Sequence, residues 1–398
     1  MSRQFPSLPW LEPRAAYIHV PFCAHHCGYC DFAVAAGQDH LIELYLDALA
    51  LELAGLREPH PVETIFIGGG TPTHLSAKQL QRLLESLATW LPLGGSEFTI
   101  ESTPDSLDAE KAALLASFGV NRVSIGVQSF RPELLTALDR RHTSDQIPRA
   151  VEVVRRFIPS FSFDLIFAAP GSTLESWAAD LDAALAFEPQ HLSTYGLTYE
   201  KGTPLWKDRE RGLLRPIDED GELAMYEHSM DRLAAAGFEH YEISNFAKPG
   251  QRCRHNERYW ANEAYLGFGV GAARYSHGVR ELNTRDTKLY VRKVLAGESP
   301  TFQSEKLEPR DRAFETIGTQ LRRAEGIERT HFQEQTGHDL EELVGDRIAS
   351  LKAVGILDDD SECVRLTRRG KCLADGAIEE LMKSNVRSAH AERITSGS

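Results

Sequence analysis

From residue 17 to about residue 200, short runs rich in β-branched and aromatic residues alternate with longer stretches whose apolar positions recur every three or four residues. The short runs read as strands: YIHVPF (17–22), TIFIGG (64–69), EFTIES (97–102), RVSIGVQ (122–128), SFDLIFA (162–168) and HLSTYGL (191–197). Between them LIELYLDALALELAGL (41–56) and AKQLQRLLESLATW (77–90) read as amphipathic helices. Ser76 with Gln79, and Ser172 with Glu175, have the spacing of capping boxes, and Gly55, Gly119 and Gly237 stand where helices should end. Six strand–helix units predict parallel strands joined by right-handed crossovers. A full barrel of this kind takes eight units. Six therefore predict an α/β fold with a three-quarter, six-unit β/α barrel, unless FEHYEISNFA (238–247) adds a strand; a doubly wound open sheet is the alternative.

The pattern changes near residue 250. The segment from Cys253 to Asn283 is aromatic and glycine-rich. Beyond it, helical periodicity returns at 311–323, 330–337 and 340–355, followed by two short strands around an acidic turn and a helix at RRGKCLADGAIEELM. Helices followed by a small hairpin predict a mainly helical, winged-helix-like module. The expected organisation is thus a barrel over 10–250, a C-terminal domain over 251–385, and a disordered tail over 386–398.

Composition narrows the function. The 398 residues are 42% hydrophobic and 26% charged, the balance of a soluble globular protein, and the formal charge is −14. That charge excludes a general grip on nucleic acid and gives the winged-helix-like part a structural or docking role. No apolar run approaches the ~20 residues of a spanning helix, and the N-terminal MSRQFPSLPWLEPRAAY has no apolar signal region. A cytoplasmic location is expected, where clustered cysteines bind metal more often than they form disulfides.

Half of the six cysteines fall in FCAHHCGYCDF: Cys23, Cys27 and Cys30, directly after the first strand. Thiolates select zinc, copper(I) or iron–sulfur clusters. His25 and His26 would complete a zinc site, although such short spacings wrap poorly around one ion. A cubane cluster held by three cysteines keeps one iron open to an exogenous ligand.

The C-x3-C-x2-C loop after the first strand resembles the signature of the radical S-adenosylmethionine superfamily. That resemblance implies a [4Fe–4S] cluster on Cys23, Cys27 and Cys30, whose open iron is chelated by the amino and carboxylate groups of S-adenosylmethionine. It also implies an electron donor for the cluster, and cleavage of the cofactor to a 5′-deoxyadenosyl radical. Further matching residues stand at the ends of successive strands: Gly69, Gly70 and Thr71 in GGGTP, Glu101 in ESTPD, Gln128 in GVQSF, Arg140 in LDRRHT, and Asp164 in FDLIFAAPG. In the family these positions contact the cofactor's carboxylate, ribose or amine, and an arginine fork and acidic acceptors suit those groups. Tyr17 and Tyr29 flank the loop as cofactor-pocket residues, with His19 a weaker candidate beside them.

YIHVPFC, GGGTP, GVQSF and FDLI together resemble the group that contains the oxygen-independent coproporphyrinogen III oxidases and the HemW-type heme chaperones. The oxidases carry a fourth cysteine where this chain has Phe32, and a long N-terminal extension; both differences count against porphyrinogen decarboxylation. HNERYW (255–260) resembles the H-N-x-x-Y-W heme-binding element of the chaperones, which implies heme contacts from His255, Tyr259 and Trp260. Cys253 is a lesser alternative ligand. The implied function is heme binding and delivery to acceptor hemoproteins, including transient contact with membrane hemoproteins. A porphyrinogen-converting radical enzyme is the rival, and a cluster-bearing interaction protein without turnover a third reading. Three positions depart from family habit: Thr103 replaces asparagine, Asp139 replaces glycine, and FAAPG stands for Y-G-L-P-G.

Overall fold

A computed structural model of the chain describes residues 9–383; the expected tail at 386–398 and the first eight residues of the N-terminal segment lie outside the described residues. Two compact units emerge. One comprises the chain to Tyr259 together with Glu263–Lys306; the other comprises Trp260–Asn262 and the chain from Leu307 onward. The sequence expectation separates domains at residue 250, so the two divisions differ over 251–306, most of which continues the sheet of the first unit.

The first unit is built on β1 (Ala15–Val20), β2 (Val62–Gly69), β3 (Leu93–Ser102), β4 (Arg122–Gln128), β5 (Ser160–Phe167) and β6 (His191–Gly196). Between and after them run α1 (Ile42–Ala54), α2 (Ala77–Trp90), α3 (Ala109–Ser117), α4 (Pro132–Ala137), α5 (Gln146–Phe157), α6 (Leu174–Ala186), α7 (Pro204–Glu210) and α8 (Glu219–Ala235). All neighbouring pairs from β1 to β6 are parallel. A side chain alternates faces at every residue of a strand, so the pairs sort the sheet into two faces. One face is apolar: Ile65, Ile67, Ile100, Val123, Ile125, Phe163 and Leu165 are all essentially inaccessible. The other is polar, and the register aligns it strand to strand: Thr64 beside Glu97, Thr99 beside Arg122, Glu101 beside Ser124, Asp164 beside Ser193. Polar groups on that face supply the candidate site.

FEHYEISNFA forms two strands, β7 (Glu239–Glu242) and β8 (Asn245–Ala247), and β8 pairs antiparallel with β6. At the other side, α9 (Arg254–Trp260) leads into β9 (Tyr265–Phe268), which adds a seventh parallel strand beside β1. Antiparallel strands β10 (Ala273–Ser276), β11 (Val279–Asn283) and, after α10 (Thr287–Leu295), β12 (Thr301–Lys306) follow. Among the described residues the sheet thus has twelve strands in the order β12-β11-β10-β9-β1-β2-β3-β4-β5-β6-β8-β7.

Helix ends differ from the expectation in two places. The Ser76–Gln79 capping box forms, but the box before α6 uses Thr173 and Ser176 rather than Ser172 and Glu175. Gly119 and Gly237 take left-handed backbone, whereas Gly55 stays right-handed helical and Arg57 takes the positive φ of +64° instead.

The second unit contains α11 (Pro309–Gln320), β13 (Ile327–Glu328), α12 (Arg329–Thr336), α13 (Leu340–Ala353), β14 (Leu357–Asp359), β15 (Cys363–Leu366), α14 (Arg368–Cys372) and α15 (Ala374–Met382). Its strands form a small antiparallel sheet in the order β13-β15-β14. Gln320 and Gln335 each donate to the Ala261 carbonyl at 3.1 Å, tying the 260–262 segment to this unit.

Candidate cofactor site

The chain leaves β1 through Pro21 and folds its cysteine loop back on itself. Phe22–Cys23 pairs with Ala35–Ala36, and the Ala35 amide donates to the Pro21 carbonyl at 2.8 Å. The loop forms part of the wall of a cavity of about 860 Å³ within the first unit. Cys23, Cys27 and Cys30 all line it. Tyr17, Tyr29, Gly69, Gly70, Thr71, Glu101, Gln128, Arg140 and Asp164 line it as well, as does His19. Residues from the ends of five successive strands and the loops after them therefore meet in one place.

Of the three, Cys23 is the most enclosed; burial pushes its pKa up to about 12, against a 3.4 Å contact with Thr71 Oγ1 that favours the thiolate. Burial raises Cys30 too. Metal binding at such thiols must displace their protons. Beside them, Arg140 Nη1 donates to Cys27 Sγ at 3.4 Å and Nη2 to the Gly126 carbonyl at 2.7 Å. Its Nε is buried with no partner among the described residues, leaving the guanidinium a donor for an incoming acceptor. His25 is engaged with Asp139 at 2.9 Å and His26 with the Cys30 carbonyl at 3.0 Å. Among the described residues no three His, Cys, Asp or Glu side chains are grouped to hold a single metal ion. Three soft thiolates open to a cavity suit a cluster.

The glycines are required by space. Gly69 has φ +114°, and a Cβ there would fall 2.6 Å from the His19 ring; at Gly70 it would fall 2.6 Å from the Pro21 carbonyl oxygen. Backbone rather than side chain therefore faces the cavity, and the Gly69 amide donates to Glu101 Oε2 at 2.9 Å. Glu101 and Asp164 are two carboxyls in one desolvated site. Desolvation first, and the charge of Asp164 second, push Glu101 up to about 8. Asp164 is also raised by desolvation, against hydrogen bonds from Ser124 Oγ at 3.0 and 2.9 Å and the positive charges of Arg122 and Arg140. A carboxyl pair held this way is ready to accept from hydroxyl or ammonium donors. Tyr17 bonds His19 Nδ1 through its hydroxyl at 3.0 Å, and Tyr29 packs against Leu138, Ile166 and Leu205.

Three residues here hold left-handed backbone without being glycine: Gln128 (φ +65°), Asp139 (+54°) and Ala168 (+58°). Asp139 and Ala168 are the two positions where the family pattern has glycine. The local backbone thus keeps a conformation that suits glycine, now carried by side-chain-bearing residues at a cost.

The residues of HNERYW separate. They form α9, whose start is fixed by the buried carboxylate of Glu97: it accepts from the amides of Arg254 (2.9 Å) and His255 (3.1 Å) and from Cys253 Sγ (3.4 Å). His255 is 1% exposed and does not line the cavity. Its Nδ1 meets Thr64 Oγ1 at 3.0 Å, its Nε2 is buried with no partner among the described residues, and burial lowers its pKa to about 3. Tyr259 does line the cavity. Trp260 groups with the second unit, where the Arg322 guanidinium lies 5.6 Å from its ring. Sequence reasoning missed Tyr195, Tyr265 and Arg285 as cavity residues, and Thr64 and Glu97 as partners of α9. Alternation along EFTIES places Glu97 on the face of Glu101, the one signal available for it.

Residues 17–184 match the Radical SAM superfamily, and residues 307–373 match the HemN C-terminal domain. The heme chaperone HemW of Lactococcus lactis subsp. lactis is 36% identical over 377 residues, spanning 94% of this chain and 99% of that one. The chain belongs to the HemW family. Another member, from Bacillus subtilis, is 36% identical over 91% of this chain and 97% of its own length; that from Escherichia coli is 34% identical over 93% and 98%. The solved structure of coproporphyrinogen III oxidase (HemN) from Escherichia coli, described as a radical SAM enzyme, aligns with a TM-score of 0.82. It covers 94% of this chain and 91% of that one at 22% identity, a likeness that speaks for the shared α/β fold. No helix among the described residues is long and apolar enough to cross a membrane.

Proposed function

We propose that the chain is a cytoplasmic heme chaperone, which binds heme, carries a [4Fe–4S] cluster with S-adenosylmethionine, and delivers heme to acceptor hemoproteins, membrane hemoproteins among them by transient contact. One observation carries the reading: Tyr259 of HNERYW lines the same cavity as Cys23, Cys27 and Cys30. Family membership supports it, since the HemW relatives are heme chaperones by name. In this reading the sheet curls as a three-quarter barrel around the cavity, which agrees with its two unpaired edges, β12 and β7.

Each residue's part follows from its chemistry. Cys23, Cys27 and Cys30 hold the cluster, which when bound supplies one-electron chemistry from an external electron donor. The free Nε edge of Arg140 takes the cofactor carboxylate, Glu101 and Asp164 accept from its amine and ribose hydroxyls, and the backbone of Gly69–Thr71 lies against its methionine part. Tyr17, Tyr29 and Gln128 complete the cofactor wall. His255 would supply an imidazole nitrogen to heme iron, and Tyr259 and Trp260 would be its ring contacts.

The rival reading, decarboxylation of a porphyrinogen, is disfavoured by Phe32. It lines the cavity with 65% of its surface exposed and has no thiol to offer where the oxidases carry one. Two substitutions test the assignments separately. Cys27→Ala should abolish the iron–sulfur absorption of reconstituted protein while heme binding persists; full iron content in the variant would refute the cluster site. His255→Ala should weaken heme binding by about tenfold or more, roughly 1.4 kcal/mol or more, with cluster content intact. An unchanged heme titration would remove His255 as the ligand.

A further inference from the structure

His255 is placed as a metal-ligating imidazole is usually placed, yet it is hidden. One ring nitrogen is engaged by the Thr64 hydroxyl at 3.0 Å, and the other, Nε2, is buried without a partner among the described residues. A hydrogen bond to one ring nitrogen orients the ring and reserves the other for a metal. A buried nitrogen left unpaired is otherwise costly, and nothing among the described residues offsets it.

What packs on this imidazole is specific. Two rings touch the imidazole: Phe66, with centroids 5.3 Å apart, and Tyr259, 4.7 Å apart and edge-on. Of the two, Tyr259 alone also lines the cavity. Its ring leans on Tyr265, another cavity residue, at 4.4 Å. Tyr259 therefore stands where His255 and the cavity meet. It is only partly buried, and among the described residues no hydrogen bond from its hydroxyl pins the ring.

We propose that Tyr259 is a gate: when its ring swings aside, His255 Nε2 opens into the cavity, and a planar iron tetrapyrrole entering that cavity is ligated there. The inference rests on the heme reading above and adds the route and the residue that controls it. The step is a ligation only; the imidazole lone pair forms the iron bond, Nδ1 keeps its proton toward Thr64, and no electron or leaving group is exchanged. Where binding needs a minor open state, the observed association is scaled by the fraction open.

The test is stopped-flow mixing of the cluster-reconstituted protein with ferric heme, followed in the Soret band, with electron paramagnetic resonance of the product. In the wild type the observed rate should level off as heme concentration rises, at the rate of gate opening. Tyr259→Ala should lift that plateau by about fivefold or more while keeping the wild-type resonance signature of the iron. Tyr259→Phe, which keeps the ring, should stay within about twofold of wild type. A wild-type rate that climbs linearly with no plateau overturns the gate, and this holds even if Tyr259→Ala fails to fold. A folded Tyr259→Ala that binds heme no faster overturns it as well. If instead His255→Ala takes up heme as the wild type does, with the same resonance signature, the ligand assignment itself fails, a result distinct from failure of the gate.

Discussion

Ala168 holds a backbone angle of +58° next to the cofactor cavity, where a Cβ atom crowds the following carbonyl and costs about 1–2 kcal/mol. Ala168→Gly should therefore stabilise the fold by about 1 kcal/mol, less than the full strain because glycine gains freedom in the unfolded chain. A denaturant midpoint that falls on substitution contradicts this. Asp139 carries a similar angle more cheaply, since a short polar side chain tolerates it and its carboxylate holds His25 at 2.9 Å. Glu101 sets a second expectation. In the fold it keeps its proton to about pH 8, whereas in the unfolded chain it releases it near its ordinary value of 4.5. Between these values the native state binds more protons, so this contribution to stability falls as pH rises through the window. Glu101→Gln should flatten that decline, by about 3 kcal/mol between pH 5.5 and 8 in cluster-free protein. Parallel pH curves for variant and wild type would show that the carboxyl titrates normally. Gly69, Glu101 and Gln128 were legible as cavity residues because strand ends punctuate the sequence there, whereas Tyr195, Tyr265 and Arg285 carry no such mark. Thr64 and Glu97 were not legible, because a buried threonine or glutamate inside a strand has no marker beyond alternation.

Helix α9 shows how an element can be readable in identity and opaque in placement. HNERYW was legible as a motif, and Tyr259 four residues after His255 as a partner on one helical face, which the 4.7 Å ring contact reproduces. Nothing in the motif marks this face as turned inward, because that depends on β2 and β3 supplying Thr64, Phe66 and Glu97 from more than 150 residues away. Glu97 is the anchor: its carboxylate accepts two amides and a thiol at the start of a helix of only seven residues. Glu97→Gln should lower stability by about 2 kcal/mol, since charge-assisted bonds are roughly twice as strong as neutral ones. It should also speed hydrogen exchange at the Arg254 and His255 amides while cluster content stays unchanged. Unaltered protection at those two amides would place the anchor elsewhere.

For the whole molecule, the six alternating units were legible because buried parallel strands and amphipathic helices have different periods. The rest of the sheet was not. β9 is a four-residue run, YLGF, whose parallel partner β1 lies some 250 residues earlier, and β10 to β12 lie in a segment whose glycines and polar residues mask alternation. Those strands carry Tyr265, Ala273 and Leu282 into the cavity wall, so the segment that sequence placed in a separate domain completes the site. The central claim is that this cavity, although built on the fold of a porphyrinogen oxidase, serves to carry heme. The direct measurement is anaerobic incubation of the reconstituted protein with S-adenosylmethionine, a reductant and either heme or coproporphyrinogen III, analysed by mass spectrometry and absorption. The account predicts one tightly bound heme per chain and unchanged coproporphyrinogen; formation of a decarboxylated porphyrinogen, with heme left unbound, would contradict it.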